Sequence, residues 1–167
     1  MKWRATSAIG STSARSVFCA VAVVAIAACA SDAGPSTAAL DADEARSRLA
    51  AACAATTERL DALTPPDDAG RAAWTRDVAT ILGDEAADVG GLVLLDGEQR
   101  DAFRDFAANT TEQSAAWSRL ADLLGTGADL TGDDRVADLT TEIAELSLGR
   151  DDLSDELAVA ACRRGSA

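Results

Sequence analysis

Residues 97–124, GEQRDAFRDFAANTTEQSAAWSRLADLL, carry the clearest structural pattern in this 167-residue chain. Apolar side chains and two uncharged polar ones recur at spacings of three and four residues: Phe103, Phe106, Thr110, Gln113, Trp117, Leu120 and Leu124. That period belongs to an amphipathic α-helix with one buried stripe. Gly125 then stands where a helix-ending glycine is expected. The pattern predicts a helix over 97–124 whose stripe must be covered by other helices.

Two further helices are predicted upstream of this stretch. The first, over 41–63, begins with a capping-box pattern at 41–44 and ends before Pro65-Pro66. Its stripe is Leu49, Cys53, Thr56, Leu60 and Leu63, so Cys53 belongs to the buried face. The second, over 67–89, carries Trp74, Val78, Ile81, Leu82, Glu85 and Val89 at helical spacing. Because Glu85 is acidic, we expect it at the edge of that stripe.

A fourth helix is predicted to begin at Thr131, with a stripe formed by Val136, Leu139, Ile143 and Leu146. Leu153 and Leu157 continue the same phase beyond Gly149. Arg163 and Arg164 are suited to the negative end of a helix. No strand pattern interrupts these segments. The predicted fold is therefore all-α, an up-down bundle of four helices.

The N-terminus has the form of an export signal. Lys2, Arg4 and Arg15 precede twelve apolar residues over 17–28, a run too short to span a bilayer, which needs about 20 residues. The run ends in Ile26-Ala27-Ala28-Cys29, which resembles the lipobox of bacterial lipoprotein signal peptides. The alternative is an ordinary secretory signal cut near Ala27.

The resemblance to lipoproteins implies that Cys29 carries a diacylglyceryl group and becomes the new N-terminus. Two acyl chains give stable membrane attachment. The expected organisation is a signal peptide over 1–28, a flexible tether over 29–40 and a helical bundle over 41–163. The expected location is extracytoplasmic, lipid-anchored to the outer face of the bacterial cell membrane.

Cys53 and Cys162 are the other cysteines outside the signal region. In an exported protein we expect them to form a disulfide, the alternative being two unrelated buried thiols. Cys53 lies about 15 Å below the end of its helix, whereas a straight fourth helix would carry Cys162 about 45 Å from that end. A disulfide needs Cα atoms within about 7 Å. The last helix must therefore bend or break, or the helices must be offset along their axes, and of these we predict a break near Gly149.

The spacing Leu49-x-x-x-Cys53, the stop Leu63-Thr64-Pro65-Pro66 and the terminal Leu157-x-x-x-x-Cys162 resemble small exported helical proteins of actinobacteria. These proteins have a cysteine in their first helix and another near the C-terminus. The resemblance extends over most of residues 41–163. It implies a helical bundle with one disulfide, and it implies no activity.

Composition excludes several kinds of site. The chain has no histidine and no tyrosine, and Lys2 is its one lysine. Catalytic triads with histidine, zinc fingers and a phosphate-binding lysine after Lys2 are therefore excluded. Asp129, Thr131 and Asp133 resemble part of a calcium loop, but Asp134 replaces its required glycine. We predict no enzymatic activity, no cofactor and no metal site.

The net charge of the chain limits the kinds of molecule that it can bind. Removing residues 1–28 takes away three cations, which leaves 12 basic and 28 acidic residues and a formal charge of −16. Such a surface repels nucleic acid and anionic headgroups, so we expect no nucleic-acid partner. The predicted function is a cell-envelope interaction module for a basic or helical protein. The alternative is a small-ligand carrier with a cavity near Trp74 and Trp117, although core packing of these rings is favoured because both lie on apolar stripes.

Overall fold

The computed structural model describes residues 40–92, 97 and 99–164. The predicted signal peptide, Cys29 and the predicted tether as far as residue 39 lie outside the described residues. The described part contains four α-helices and a short terminal 3-10 turn: α1 Ala42–Asp61, α2 Arg71–Gly90, α3 Arg100–Gly125, α4 Asp134–Glu156 and η1 Ala160–Cys162. These residues form no β-strand, so the all-α prediction is confirmed.

Helix α3 lies between α2 and α4 and runs antiparallel to both. Ser114 Oγ of α3 donates to the backbone carbonyl of Ala79 in α2, at 2.8 Å. Further along α3, Arg119 forms an ion pair with Glu142 of α4. The longest and cleanest amphipathic pattern in the sequence thus belongs to a helix that packs against a neighbour on each side. Its stripe is covered from both sides, as the up-down bundle requires.

Local sequence explains where the helices begin and end. The carboxylate of Asp41 accepts the backbone N–H of Glu44 at 2.8 Å, which is half of the predicted capping box. Helix α2 starts at Arg71, later than predicted, because Asp67 accepts the backbone N–H of Gly70 and closes a turn there. After α3, the positive φ of 87° falls on Gly127, and Gly125 is the last helical residue.

The predicted break at Gly149 is wrong, because α4 continues through this residue to Glu156. Gly149 lies where α3 and α4 approach closely. A Cβ atom there would lie 3.3 Å from Asn109 Nδ2, which donates to the backbone carbonyl of Leu146 at 3.1 Å. The glycine therefore makes room for a polar contact between two helices. Its presence in the helix interior reflects packing and not a change of direction.

The chain changes direction after α4 has ended, at Ala158. This residue has a positive φ of 56°, the left-handed conformation that usually belongs to glycine. The backbone N–H of Ala158 donates to the carbonyl of Asp155, and that of Val159 donates to the carbonyl of Ser154 at 2.9 Å. This is the Schellman pattern of helix termination. It turns residues 157–164, which we name the C-terminal strap, back toward α1.

Two apolar clusters form the core. The first surrounds the strap and joins it to α1, α2 and α3 through Leu49, Val89, Phe103, Phe106, Leu157 and Val159. The second joins α3 to the beginning of α4 through Ala116, Leu120, Val136 and Ile143. Polar side chains are also buried in the bundle, and they include Glu85, Thr110, Gln113 and Arg150. Each of these four has a partner on another residue.

Candidate functional site

The disulfide predicted between Cys53 and Cys162 is present, with a Cα–Cα distance of 4.9 Å across 109 positions of sequence. Both cysteines are 1% exposed. Cys53 lies in the middle of α1, and Cys162 ends the 3-10 turn of the C-terminal strap. The reversal at Ala158 brings the two residues together, so the disulfide ties the first helix to the last segment without any break in α4.

A buried arginine lies beside this disulfide. The side chain of Arg150, on α4, is 1% exposed. Its Nε donates to the backbone carbonyl of Cys162 at 3.1 Å, and its Nη1 donates to Thr110 Oγ1 at 3.0 Å. Its Nη2 lies 3.5 Å from Cys53 Sγ. The guanidinium also sits 4.6 Å from the centre of the Phe106 ring, within the range of a cation–π contact.

Glu85 supplies the negative charge that this arginine requires. The expectation that Glu85 would lie at the edge of its stripe is wrong, because its side chain is fully buried. Its Oε1 accepts Arg150 Nη2 at 2.6 Å, and its Oε2 accepts Arg164 Nη2 at 2.8 Å. A buried carboxylate that is paired and hydrogen-bonded on both oxygens avoids the cost of an isolated charge.

Arg164 is the weaker member of this group. Its side chain is 21% exposed, and its Nε is buried without a hydrogen-bond partner among the described residues. Its backbone N–H donates to Asp151 Oδ1 at 3.0 Å, which fastens the strap to α4. Burial lowers the pKa of Arg164 to about 10, and repulsion from Arg150 acts in the same direction, against the attraction of Glu85. Each guanidinium nitrogen of Arg150 thus has a hydrogen-bond partner, whereas the charged form of Arg164 is disfavoured by burial.

We name Glu85, Arg150, Arg164 and the disulfide between Cys53 and Cys162 the buried charge cluster. Its members come from α1, α2, α4 and the strap, and Thr110 adds a contact from α3. Neither arginine is predicted from the sequence as a partner for Glu85. A signal was nevertheless present, because Arg150 continues the α4 stripe seven residues after Ile143. An acid on one apolar stripe and an arginine on another indicate a buried ion pair.

The two tryptophans considered for a ligand pocket contact each other. The rings of Trp74 on α2 and Trp117 on α3 meet edge to face, with centroids 6.1 Å apart. Such aromatic pairs are packing contacts. The indole N–H of Trp74 is buried and has no partner among the described residues. A groove of about 420 Å³ lies elsewhere, at the end of α2 and the beginning of α3, and is lined by Val89, Leu92, Phe103 and Arg104 among others.

The loop that resembles a calcium site uses its carboxylates for local hydrogen bonds. Asp129 accepts both the backbone N–H and the hydroxyl of Thr131, at 3.0 and 3.1 Å, and these bonds lower its pKa. Asp133 caps α4 and also accepts the side chain of Arg135, which lowers the pKa of Asp133. Within residues 40–92, 97 and 99–164, no three potential ligand residues are grouped to hold a metal ion.

The remaining predicted site residue, Cys29, lies outside the described residues, so its lipidation stays a prediction. None of the described helices combines the length and apolar character needed to cross a membrane. Comparisons of the chain with protein families, with curated proteins and with solved structures found no match.

Proposed function

We propose that this protein is a lipid-anchored, extracytoplasmic interaction module of the bacterial cell envelope. The buried disulfide between Cys53 and Cys162 is the observation that carries this proposal. Disulfides form and persist in oxidising compartments and are rare in the cytosol. A disulfide inside the core agrees with the export signal and the Ile26-Ala27-Ala28-Cys29 pattern that precede the folded part.

The exposed side of α4 is the surface that best suits a protein partner. Asp138, Glu145, Leu148, Asp152 and Glu156 are all exposed there and recur at helical spacing. We name these five residues the α4 outer face. Leu148 is 67% exposed and is the large hydrophobic side chain that stands out on the described surface. The face therefore combines an apolar centre with acidic neighbours before and after it.

The carboxylates of this face are available for a partner. Within the described part of the chain, Asp138, Glu145, Asp152 and Glu156 form no ion pair, whereas nearby Arg119 and Arg163 are paired with Glu142 and Asp155. A partner that fits would present basic side chains around an apolar one. Charge complementarity of this kind accelerates association and makes it sensitive to salt. Anionic headgroups and nucleic acid would be repelled by the same surface.

A site-specific photo-crosslinker at position 148, introduced in the native cells, tests this proposal. We expect a defined adduct with a protein that carries a basic surface, identified by mass spectrometry. The adduct should be lost in the Glu145→Gln, Asp152→Asn double variant and weakened at high salt. A crosslinker at Thr80, an exposed position on α2, is the matched control. No adduct at position 148, or adducts unaffected by the double variant, would contradict the docking surface.

A further inference from the structure

The two sulfurs of the disulfide have different electrostatic surroundings. Cys53 Sγ lies 3.5 Å from Nη2 of Arg150. The same guanidinium contacts Cys162 through its backbone carbonyl, which accepts from Nε at 3.1 Å. Arg150 therefore offers an N–H bond and a positive charge directly to one sulfur. A guanidinium in contact with a cysteine favours the thiolate over the thiol.

The three charged side chains of the buried charge cluster, Glu85, Arg150 and Arg164, sum to a net positive charge before any thiolate forms. From α2 the cluster receives the carboxylate of Glu85, and from α4 and the strap it receives the guanidiniums of Arg150 and Arg164. Asp151 of α4 is only half-buried and accepts the backbone N–H of Arg164. Helix α3 contributes the uncharged Thr110 and Phe106. A thiolate at Cys53 would balance the second arginine of the buried charge cluster.

We propose that Arg150 is a positioning residue that holds the Cys53 sulfur as a thiolate in the reduced protein, so that Cys53 is the attacking sulfur when the disulfide closes. The buried charge cluster then has a chemical role in addition to its structural one. Its net positive charge favours the reactive form of the one cysteine whose sulfur it touches. This proposal does not depend on the partner proposed for the α4 outer face.

The chemistry takes place in two exchange steps with a disulfide-bearing oxidant, RSSR. First, the thiolate of Cys162 attacks RSSR, forms the mixed disulfide Cys162–S–S–R and releases RS⁻. The Cys53 thiolate then attacks Cys162 Sγ, forms the Cys53–Cys162 bond and releases a second RS⁻. Two protein thiols are oxidised, and one RSSR is reduced to two thiols. In the reverse direction, a stabilised Cys53 thiolate is the better leaving group.

The fold assigns the entry point for the oxidant to Cys162. This residue ends a single 3-10 turn whose preceding residues, Ala160 and Ala161, are exposed. Cys162 is itself 1% exposed once the disulfide has formed, so the proposal requires that the strap lifts to admit the oxidant. Without the disulfide, noncovalent contacts such as Arg164 with Glu85 are all that would oppose this movement. Cys53 lies in the middle of a helix and beneath the strap, where a bulky oxidant has no access. The cysteine of the strap therefore receives the oxidant, and the thiolate fixed in α1 completes the bond.

The test measures the pKa of the Cys53 thiol in the full chain carrying Cys19→Ser, Cys29→Ser and Cys162→Ser. The pH dependence of alkylation by iodoacetamide reports this pKa. We expect a value at least about one unit below the ordinary value of about 8.5. Arg150→Met should return it to about 8.5 or above, whereas Arg150→Lys, which keeps the charge, should retain part of the decrease.

The control is Arg119→Met, which removes an arginine from an exposed ion pair between α3 and α4. It should leave the pH profile unchanged. Circular dichroism of each variant establishes that the helices persist, and Arg150→Lys keeps the test decisive if Arg150→Met does not fold. A Cys53 pKa at or above about 8.5 in the protein that retains Arg150 would overturn the proposal. So would a Cys53 pKa that is the same in that protein, in Arg150→Lys and in Arg119→Met.

Discussion

Arg150 Nη2 lies 2.6 Å from Glu85 Oε1, with the two side chains 1% and 0% exposed. The pair joins α2 to α4 although α3 lies between these helices. Arg150 reaches past α3 by contacting Thr110 and the Phe106 ring on the way. A charge buried this completely is tolerated because every part of the guanidinium has a partner. Removing Glu85 would leave both arginines without their counter-charge, and removing Arg150 would leave Glu85 paired only with the partly exposed Arg164.

Replacing Arg150 with methionine should therefore destabilise the protein strongly. Loss of one partner of a buried ion pair costs about 3–5 kcal/mol, because the remaining charge stays buried. Chemical denaturation monitored by circular dichroism measures the change. Arg119→Met is the matched control, since Arg119 and Glu142 form an exposed pair between α3 and α4 that is worth about 0–1 kcal/mol. Similar losses for the two variants would contradict the assignment of Arg150.

The lowered pKa of Arg164 predicts that the free energy of unfolding increases at alkaline pH. Its pKa in the folded protein is lowered to about 10, mainly by burial, so the folded state releases this proton before the unfolded state does. Between pH 10 and the ordinary pKa of arginine, the unfolded state binds more protons, and the free energy of unfolding rises with pH. The slope is at most about 1.4 kcal/mol per pH unit. Below pH 10 the charge is present in both states and its penalty is constant.

The composition leaves few other side chains that titrate in this alkaline range. The chain has no histidine or tyrosine, Lys2 is its one lysine, and Cys53 and Cys162 are joined in a disulfide. Denaturation midpoints at a series of pH values from about 8.5 to about 11 should rise above pH 10 in the wild-type protein. They should stay level in Arg164→Met, which should also cost little stability at neutral pH. A rise of equal size in the variant would show that another group is responsible.

Ala158→Gly should stabilise the protein. Ala158 is exposed and has a φ of 56°, so its Cβ atom makes the left-handed conformation costly without contributing to the core. Glycine adopts this conformation without that cost but loses more entropy on folding, and we expect a net gain of about 0.5–1 kcal/mol. Thermal denaturation measures the gain. Ala144→Gly, an exposed change inside α4, should instead lower stability by about 1 kcal/mol.

Cys162→Ala should lower stability while the helices persist. The disulfide closes a loop with its cysteines 109 positions apart, and loops of about 100 residues gain roughly 4–5 kcal/mol from restriction of the unfolded chain. We expect a measured loss of about 2–5 kcal/mol, with little change in far-ultraviolet circular dichroism. Reducing the wild-type protein should lower its stability toward that of the variant. Two titratable thiols at these positions in the purified, non-reduced protein would reject the disulfide.

Cys29→Ser should abolish lipidation. The residues Ile26-Ala27-Ala28-Cys29 end the apolar run, and the thiol of Cys29 is the expected site of acylation. Labelling cells with a clickable palmitate analogue should mark the wild-type protein and leave the variant unmarked. Cys19→Ser, a change inside the apolar run, is the matched control and should keep the label. Equal labelling of wild type and Cys29→Ser would remove the basis for a lipid anchor and leave the folded domain unaffected.

The sequence by itself determined the four helices and the partner of each cysteine in the bundle. Helical periodicity reports which side chains share a face, and this information is local to each segment. The cap at Asp41, the end of α1 before Pro65-Pro66 and the long stripe of α3 all follow from neighbouring residues. The pairing of Cys53 with Cys162 followed from their small number and from the export signal that the sequence predicts, and the 4.9 Å Cα–Cα distance agrees with it.

Only the tertiary structure decided where the chain reverses and that the side chain of Glu85 is buried. Gly149 is compatible with either a break or a close helix contact, and the position of Asn109 on another helix settles the choice. The reversal occurs at Ala158, a residue whose local preference opposes it, because the disulfide and the buried strap outweigh the cost of its conformation. Burial of Glu85 likewise depends on Arg150 and Arg164, which lie 65 and 79 positions away. Periodicity places Glu85 and Arg150 on apolar stripes, but it does not say which residues pair over such separations, because the energy of pairing exists only once the helices have packed.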